Sequence, residues 1–399
     1  MHIGLGIFWH TTIYLFSILN MKKFLLKTFI FVLPYAILFA FLGKVLFSSG
    51  ELDSIEKIID FQIANKSVLY GPAYTVSCPT YKLKSIIKRK PEIIALGSSR
   101  VMQFRDKFFT LSPDKFYNAG RGANKIKDFK DFLEKIPEEK LPKVVIMGLD
   151  PYFFNSNWDE VSEDDSVLIH IKQKGNNPIF LINSTSFIRD TVRGKTLTKV
   201  DYEGLDPGLK KYIPKGYNAK NNGNGFRNDG SYCYGKYFSN PEDSDDWGFK
   251  ETFKRIKDGN RRFEYSEKVS AKAIKELEEF LKFCQEREIY VIGFLPPYAS
   301  KVYNKMKSMK EYGYLDNIFK ELNRAFKMYK YPLYDFLDIN SFGSNDNEVI
   351  DGFHGSEVSY LRLFVLMVEP EPILQKYTDS EKLKQYLKRT TSPYLVFEI

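Results

Sequence analysis

The sequence predicts a three-layer α/β sandwich built on a mostly parallel sheet. Wholly apolar short runs such as KVVIMGL (143–149) suit strands buried on both faces of a parallel sheet. They alternate with longer stretches whose apolar residues recur at the helical period, which is the order of βαβ units. An apolar N-terminus precedes this alternation and predicts a membrane helix in front of the domain.

Residues 1–50 form that N-terminal region. Phe24 to Phe47 is interrupted only by Lys27, Thr28, Pro34, Tyr35, Gly43 and Lys44, and is long enough to span a bilayer. Lys44 is placed to snorkel at one end. Lys22, Lys23 and Lys27 put the preceding side in the cytoplasm. The run exits into LFSSGELD with no small-x-small cleavage site, which favours an uncleaved anchor over a removed signal peptide. The leading MHIGLGIFWHTTIYLFSIL is either a first helix of a hairpin or an extension ahead of a natural start at Met21. With this orientation residues 51–399 lie outside the cytoplasm, in the periplasm or outside the cell, away from nucleotides and central metabolites.

A connecting segment (51–90) leads to an α/β domain over 91–399. PEIIALGSSR (91–100) reads as a strand ending in a glycine and two serines, and KFYNAG (115–120) as a second strand ending in a glycine-rich turn. NKIKDFKDFLEKI (124–136) has the helical period, and KVVIMGL is the third strand. Residues 266–288 place Val269, Ile274, Leu277, Leu281 and Cys284 on one helical stripe and lead into the strand IYVIGFLPP (289–297). A helix near 311–329 precedes PLYDF (332–336), and SEVSYLRLFVLMV (356–368) closes the core. Residues 155–265, rich in Asn, Gly, Asp and Tyr, break the alternation; the stretch is too long for a structureless loop and reads as an inserted cap or small subdomain.

Composition excludes some classes. The formal charge of +9 includes four lysines in residues 1–50, and the remaining charges alternate in sign along the chain. That describes a solvated surface rather than a nucleic-acid tract. Cys78, Cys233 and Cys284 are far apart with no CxxC pair, so no metal site is expected and one disulfide at most. Cys284 belongs to the core stripe.

Ligand crevices of open α/β sheets lie at the carboxyl ends of the strands. Ser98, Ser99 and Arg100 follow one strand, Gly120 and Gly122 the second, and Gly148 and Asp150 the third. Pro296, Pro297 and Tyr298 follow the fourth, and Asp351 and His354 the last. A hydroxyl, backbone donors, an acid and an imidazole on one edge are the parts of a Ser-His-Asp acyl-transfer site. A lone Gly-Ser-Ser is a common turn and a lone Asp-x-x-His a common loop; their order, each after its own strand, carries the inference. His170, in the irregular stretch, reads as structural or surface, and His2 and His10 lie in the apolar leader.

IIALGSSR, NAGRGA, VVIMGLDPYF and DGFH together resemble the four blocks of the SGNH (GDSL-type) hydrolase superfamily. The resemblance covers roughly 90–150 and 266–370. It is closest to a membrane-anchored branch that includes polysaccharide O-acetylation proteins of the alginate type and the teichoic-acid D-alanylation protein. It implies a flavodoxin-like sandwich without a cofactor. Ser99 would be the nucleophile, with Ser98 where a GDSL aspartate stands, His354 the general base and Asp351 its partner. The Ser99 N–H and a glycine, Gly122 in preference to Gly120, would form the oxyanion hole. The third block of the superfamily offers an asparagine, where this chain has Asp150. An ionised carboxylate repels an oxyanion, so Asp150 is protonated, turned away or otherwise used, and the third donor is missing or supplied by Asn118 or Asn124. Arg100, Asn124, Asp150 and Tyr298 would contact substrate.

The function expected is O-acyl transfer, acetyl in particular, to a cell-surface polysaccharide, with a multi-pass membrane acyltransferase as donor partner. A glycan esterase is the alternative. A non-catalytic glycan binder that stacks sugars on Tyr217, Phe226, Tyr232, Tyr234, Tyr237 and Phe238 is a third reading.

Overall fold

Five apolar runs pair, all parallel, in the order β3-β2-β4-β8-β9. These are β2 (Ile93–Gly97), β3 (Phe116–Gly120), β4 (Val144–Gly148), β8 (Tyr290–Leu295) and β9 (Leu333–Asp335). The computed structural model describes residues 4–74, 78–161, 188, 189, 193, 211–239 and 241–397. His170 and residues 162–187 of the expected insertion lie outside them. Every residue of β2, β3 and β4 is buried, as their unbroken apolar runs require, whereas β9 is half-exposed at the sheet edge.

The two outer layers follow from strand geometry, since consecutive strand residues face opposite sides. In β8, a side chain at Gly293 would meet the Phe326 ring of the Tyr314–Met328 helix. Its neighbour Phe294 packs edge-on against Phe104 and against Tyr360 of the Glu357–Val368 helix. Those two helices therefore cover opposite faces. The Ile126–Leu133 and Ala271–Glu286 helices pack together, and Ala271–Glu286 also packs on Tyr314–Met328. The expected strands and helices of the 91–399 domain are present with ends trimmed by a few residues.

A second, four-stranded sheet of order β5-β1-β6-β7 was not foreseen. It joins β1 (Val68–Tyr70) to β5 (Ile213–Lys215), β6 (Asn224–Phe226) and β7 (Tyr232–Tyr234). The segment before the main domain and the irregular stretch within it thus share one sheet. Three-residue strands carry too little alternation to be legible as a pattern.

At the N-terminus Gly4–Ser49 is one helix, not a hairpin of two. Met21–Ser49 is long and apolar enough to cross a membrane, a property shared by anchors and signal sequences. The chain divides into two compact units, Met1–Leu52 and Asp53–Ile399.

Lys82, wholly buried, ties the two sheets together. Its Nζ donates to the carbonyls of Asn118 in β3 and Gly230 between β6 and β7, and lies 4.2 Å from the Phe226 ring centre. Burial pulls the ammonium down to about 7. The unfolded chain holds this proton to a much higher pH, so between about pH 7 and 10 the unfolded state binds more protons and stability rises with pH. Lys82→Met should remove that slope: in thermal melts the wild type should gain on the variant from pH 7 to about pH 9. A difference that stays flat across this range would show that Lys82 keeps its proton in the fold.

Candidate active site

The parallel register brings the ends of β2, β3, β4 and β8 to one edge. Beyond β2 the chain turns at once. Ser98, fully buried, caps the short Ser99–Val101 turn by accepting the Arg100 N–H on its Oγ at 3.1 Å. That leaves Ser99 as the serine facing the crevice. Its Oγ lies 2.8 Å from Nε2 of His354, 255 residues away along the chain.

The His354 turn is held by Asp351. One carboxylate oxygen accepts the backbone N–H groups of Phe353 (2.9 Å) and His354 (2.8 Å), and the other contacts His354 Nδ1 at 2.7 Å. With the proton on Nδ1 donated to Asp351, Nε2 is the bare nitrogen and accepts the Ser99 hydroxyl. Burial would raise the Asp351 carboxyl, but His354 and the two N–H groups outweigh it and hold it below its ordinary value. Gly352 allows the turn to sit close to the Lys250–Asp258 helix, where a Cβ would fall about 2.6 Å from Thr252. The Gly352 N–H donates to Asp246 at 2.9 Å, and the same carboxylate holds the Thr252 hydroxyl.

Several expected contacts are placed elsewhere. The Gly120 N–H donates to Asn118 Oδ1 at 2.8 Å and the Gly122 N–H to the Ala119 carbonyl at 2.9 Å. Both glycine amides are spent, so neither serves as the oxyanion donor expected of it. Asn118 is spent as well, its Nδ2 donating to the carbonyls of Val101 and Phe104. The Ser99 N–H opens its turn and has no backbone acceptor among the described residues.

Arg100, Asp150 and Tyr298 are buried too deeply to touch substrate. Arg100 Nη1 contacts Asp150 Oδ1 at 3.1 Å as a charge pair that is not aligned as a hydrogen bond. Its Nη2 donates to the Pro296 carbonyl at 2.8 Å, and the guanidinium lies 4.2 Å over the Tyr298 ring. The Tyr152 hydroxyl donates to Asp150 at 3.3 Å, and the Tyr360 hydroxyl to the Arg100 carbonyl. Asp150 is thus turned away and paired.

Asn124 is where the expectation put it. With Ser99, Arg121, Lys125, Tyr152, Trp158 and Arg262 it lines a cavity of about 180 Å³. The last five are functional candidates that sequence reasoning missed. Arg121 had one local signal, a residue between two glycines, and it adopts a left-handed φ of 65°. Arg262 and Trp158 come from the irregular stretch and had none. Of the aromatics expected to stack on sugars, Phe226 is buried and Tyr232 and Tyr234 are half-buried, packed on one another; Tyr237 and Phe238 pack on Tyr394, and Tyr217 on Tyr74. They form local cores rather than an open platform. No protein-family model matches the chain, and a search of curated proteins found no match.

Removing one partner of a buried ion pair strands the other charge. Asp150→Asn should therefore lower the unfolding free energy by about 3–5 kcal/mol in urea melts. Asp150→Leu with Arg100→Met should recover most of that loss. A single variant as stable as the wild type would mean the pair does not hold the loops.

Proposed function

We propose that the protein is a serine O-acyltransferase of the SGNH type, anchored in the cell membrane with its catalytic domain outside the cytoplasm, that moves an acyl group, acetyl in particular, onto a cell-surface polysaccharide. The reading rests on one observation: Ser99 Oγ lies 2.8 Å from His354 Nε2 and an Asp351 carboxylate oxygen 2.7 Å from His354 Nδ1, the contacts a nucleophile, base and orienting acid need. The strand order supports it, since β3-β2-β4-β8-β9 is 2-1-3-4-5 counted along that sheet's own strands, the flavodoxin-like order. The long apolar helix supports the anchor.

In this mechanism Ser99 Oγ attacks the acyl carbonyl while His354 Nε2 takes its proton. The oxyanion is met by the Ser99 N–H and the Asn124 side chain. Collapse expels the donor's alkoxide or thiolate, which takes the proton back from His354 and leaves an acyl ester on Ser99. A sugar hydroxyl then gives its proton to His354 and attacks the ester; collapse expels Ser99 Oγ, which takes that proton back, and leaves the acyl group on the sugar. The donor outside the cytoplasm is an acyl group passed across the bilayer by a multi-pass membrane acyltransferase. Arg121, Lys125 and Arg262 are among the residues lining the cavity, which suits an acceptor carrying acidic groups.

A fluorophosphonate probe should label the full-length chain in detergent at Ser99, and Ser99→Ala and His354→Ala should abolish both labelling and turnover of an acetyl ester. Full activity in Ser99→Ala would end the assignment. Asp351→Asn should slow turnover by about 10⁴-fold and Asn124→Ala by about 10²–10³-fold. Mass spectrometry of the same protein with an acetyl donor ester and surface polysaccharide should show acetylated sugar. Free acetate alone would make the protein an esterase, and correct folding without labelling would favour a binding module.

A further inference from the structure

Gly352, between Asp351 and Phe353, is held from both sides. Its carbonyl accepts the Ala299 N–H at 3.1 Å, a few residues past β8, and its N–H donates to Asp246 Oδ2 at 2.9 Å. The successive N–H groups of Gly352, Phe353 and His354 thus all go to carboxyl groups, the first to Asp246 and the other two to Asp351. Asp351 orients the imidazole directly. Asp246 takes the one amide of the three that Asp351 leaves.

Asp246 is itself fixed. Its Oδ2 also accepts the Thr252 hydroxyl at 2.7 Å, and its Oδ1 accepts the Thr252 N–H at 2.7 Å. Thr252 is fully buried in the Lys250–Asp258 helix. The Asp246 carbonyl accepts the Phe249 N–H at 2.7 Å, across a turn in which Gly248 and Phe249 both have left-handed φ, 66° and 63°. For phenylalanine that backbone is strained, and it persists only where the surroundings over-determine it. Here the Phe249 ring is buried in the main core, edge-on to Phe253. Capping a helix does not require such strain: Ser270 and Ser356 cap theirs from extended backbone. Strain of this kind gathers at functional sites.

We propose, on the serine-enzyme reading, that Asp246 is a positioning residue: by holding the Gly352 amide it keeps the His354 turn where Nε2 meets Ser99 Oγ. Without Asp246 the Gly352 N–H loses its acceptor, and the turn gains freedom to carry the imidazole off line. Reacting groups displaced by about 1 Å lose about 10²-fold in rate. The loss falls on the chemical step, so kcat drops while KM stays.

The test measures acetyl-ester turnover and the low-field His354 Nδ1 proton resonance in the full-length chain in maltoside micelles, with the resonance assigned by its loss in His354→Gln. Asp246→Ala should lower kcat by about 10–10²-fold with KM unchanged, and the Nδ1 proton should broaden as its bond to Asp351 loosens. Asp246→Asn keeps the side chain's shape but turns an N–H toward one of the amides it served. It should fall between wild type and Asp246→Ala in both readouts, and it decides the matter if the alanine variant does not fold. Ser270→Ala, which removes a helix cap elsewhere, should lower the melting temperature and leave both readouts alone. Wild-type kcat and Nδ1 resonance in the Asp246 variants, with only stability lowered, would make Asp246 a helix cap and overturn the proposal. So would an equal kcat loss in Ser270→Ala, or a rise in KM with kcat unchanged. A wild type that neither turns over the ester nor takes a fluorophosphonate would end the enzyme reading instead, and the Nδ1 proton would still decide whether Asp246 holds the imidazole.

Discussion

The buried charge pair of Arg100 and Asp150 is the contact on which the candidate site depends. Arg100 follows Ser99 directly, and its side chain reaches Asp150 at the end of β4 and the Pro296 carbonyl at the end of β8. The Tyr360 hydroxyl, from the helix that begins just after the His354 turn, takes the Arg100 carbonyl. Three segments distant in sequence are thereby fixed to the residue next to Ser99. A buried pair of this kind adds little net stability over an apolar replacement. Orientation is fixed by the rest of the guanidinium, whose Nη2 donates to the Pro296 carbonyl and whose face lies over Tyr298, where packed methyl groups would allow sliding.

His354 is positioned by a different logic. Asp351 binds both the imidazole and the backbone of its own turn, so the carboxylate that orients His354 also sets the turn's shape. The turn is fastened from outside by Asp246, which takes the Gly352 N–H and the Thr252 hydroxyl. Asp246 and Thr252 belong to the stretch that interrupts the α/β alternation. That stretch therefore supports the triad as well as supplying Trp158 and Arg262 to the cavity wall.

The strands of the main sheet and the triad were legible because both are local patterns: apolar runs of five residues, a serine just past a strand, an aspartate three residues before a histidine. What was illegible depends on long-range pairing. Nothing in NAGRGAN reveals that the Gly120 amide is taken by Asn118 and the Gly122 amide by Ala119. The fate of Asp150 required knowing that Arg100 turns inward beneath the crevice. The second sheet escaped because its strands are three residues long and their partners lie up to about 150 residues away, as in β1 with β5 and β6.

Under the serine-enzyme reading, the choice between acyl transfer and hydrolysis is not made by the triad, whose proton movements are the same for a sugar hydroxyl and for water. It is made by what stands beside the acyl-Ser99 carbonyl. An oriented, bound hydroxyl reacts as if present at effective concentrations that reach roughly 10⁵–10⁸ M in good geometries, far above any concentration water attains. Under the transferase reading, a sugar hydroxyl held in such a geometry in the cavity adjoining Ser99 outcompetes water without a dry active site. Arg121, Lys125 and Arg262 line that cavity, with Trp158 as its half-buried aromatic. Under the transferase reading, the partition is thus governed by occupancy: an acidic acceptor drawn to these cations diverts the acyl group, and water receives it when the cavity is empty.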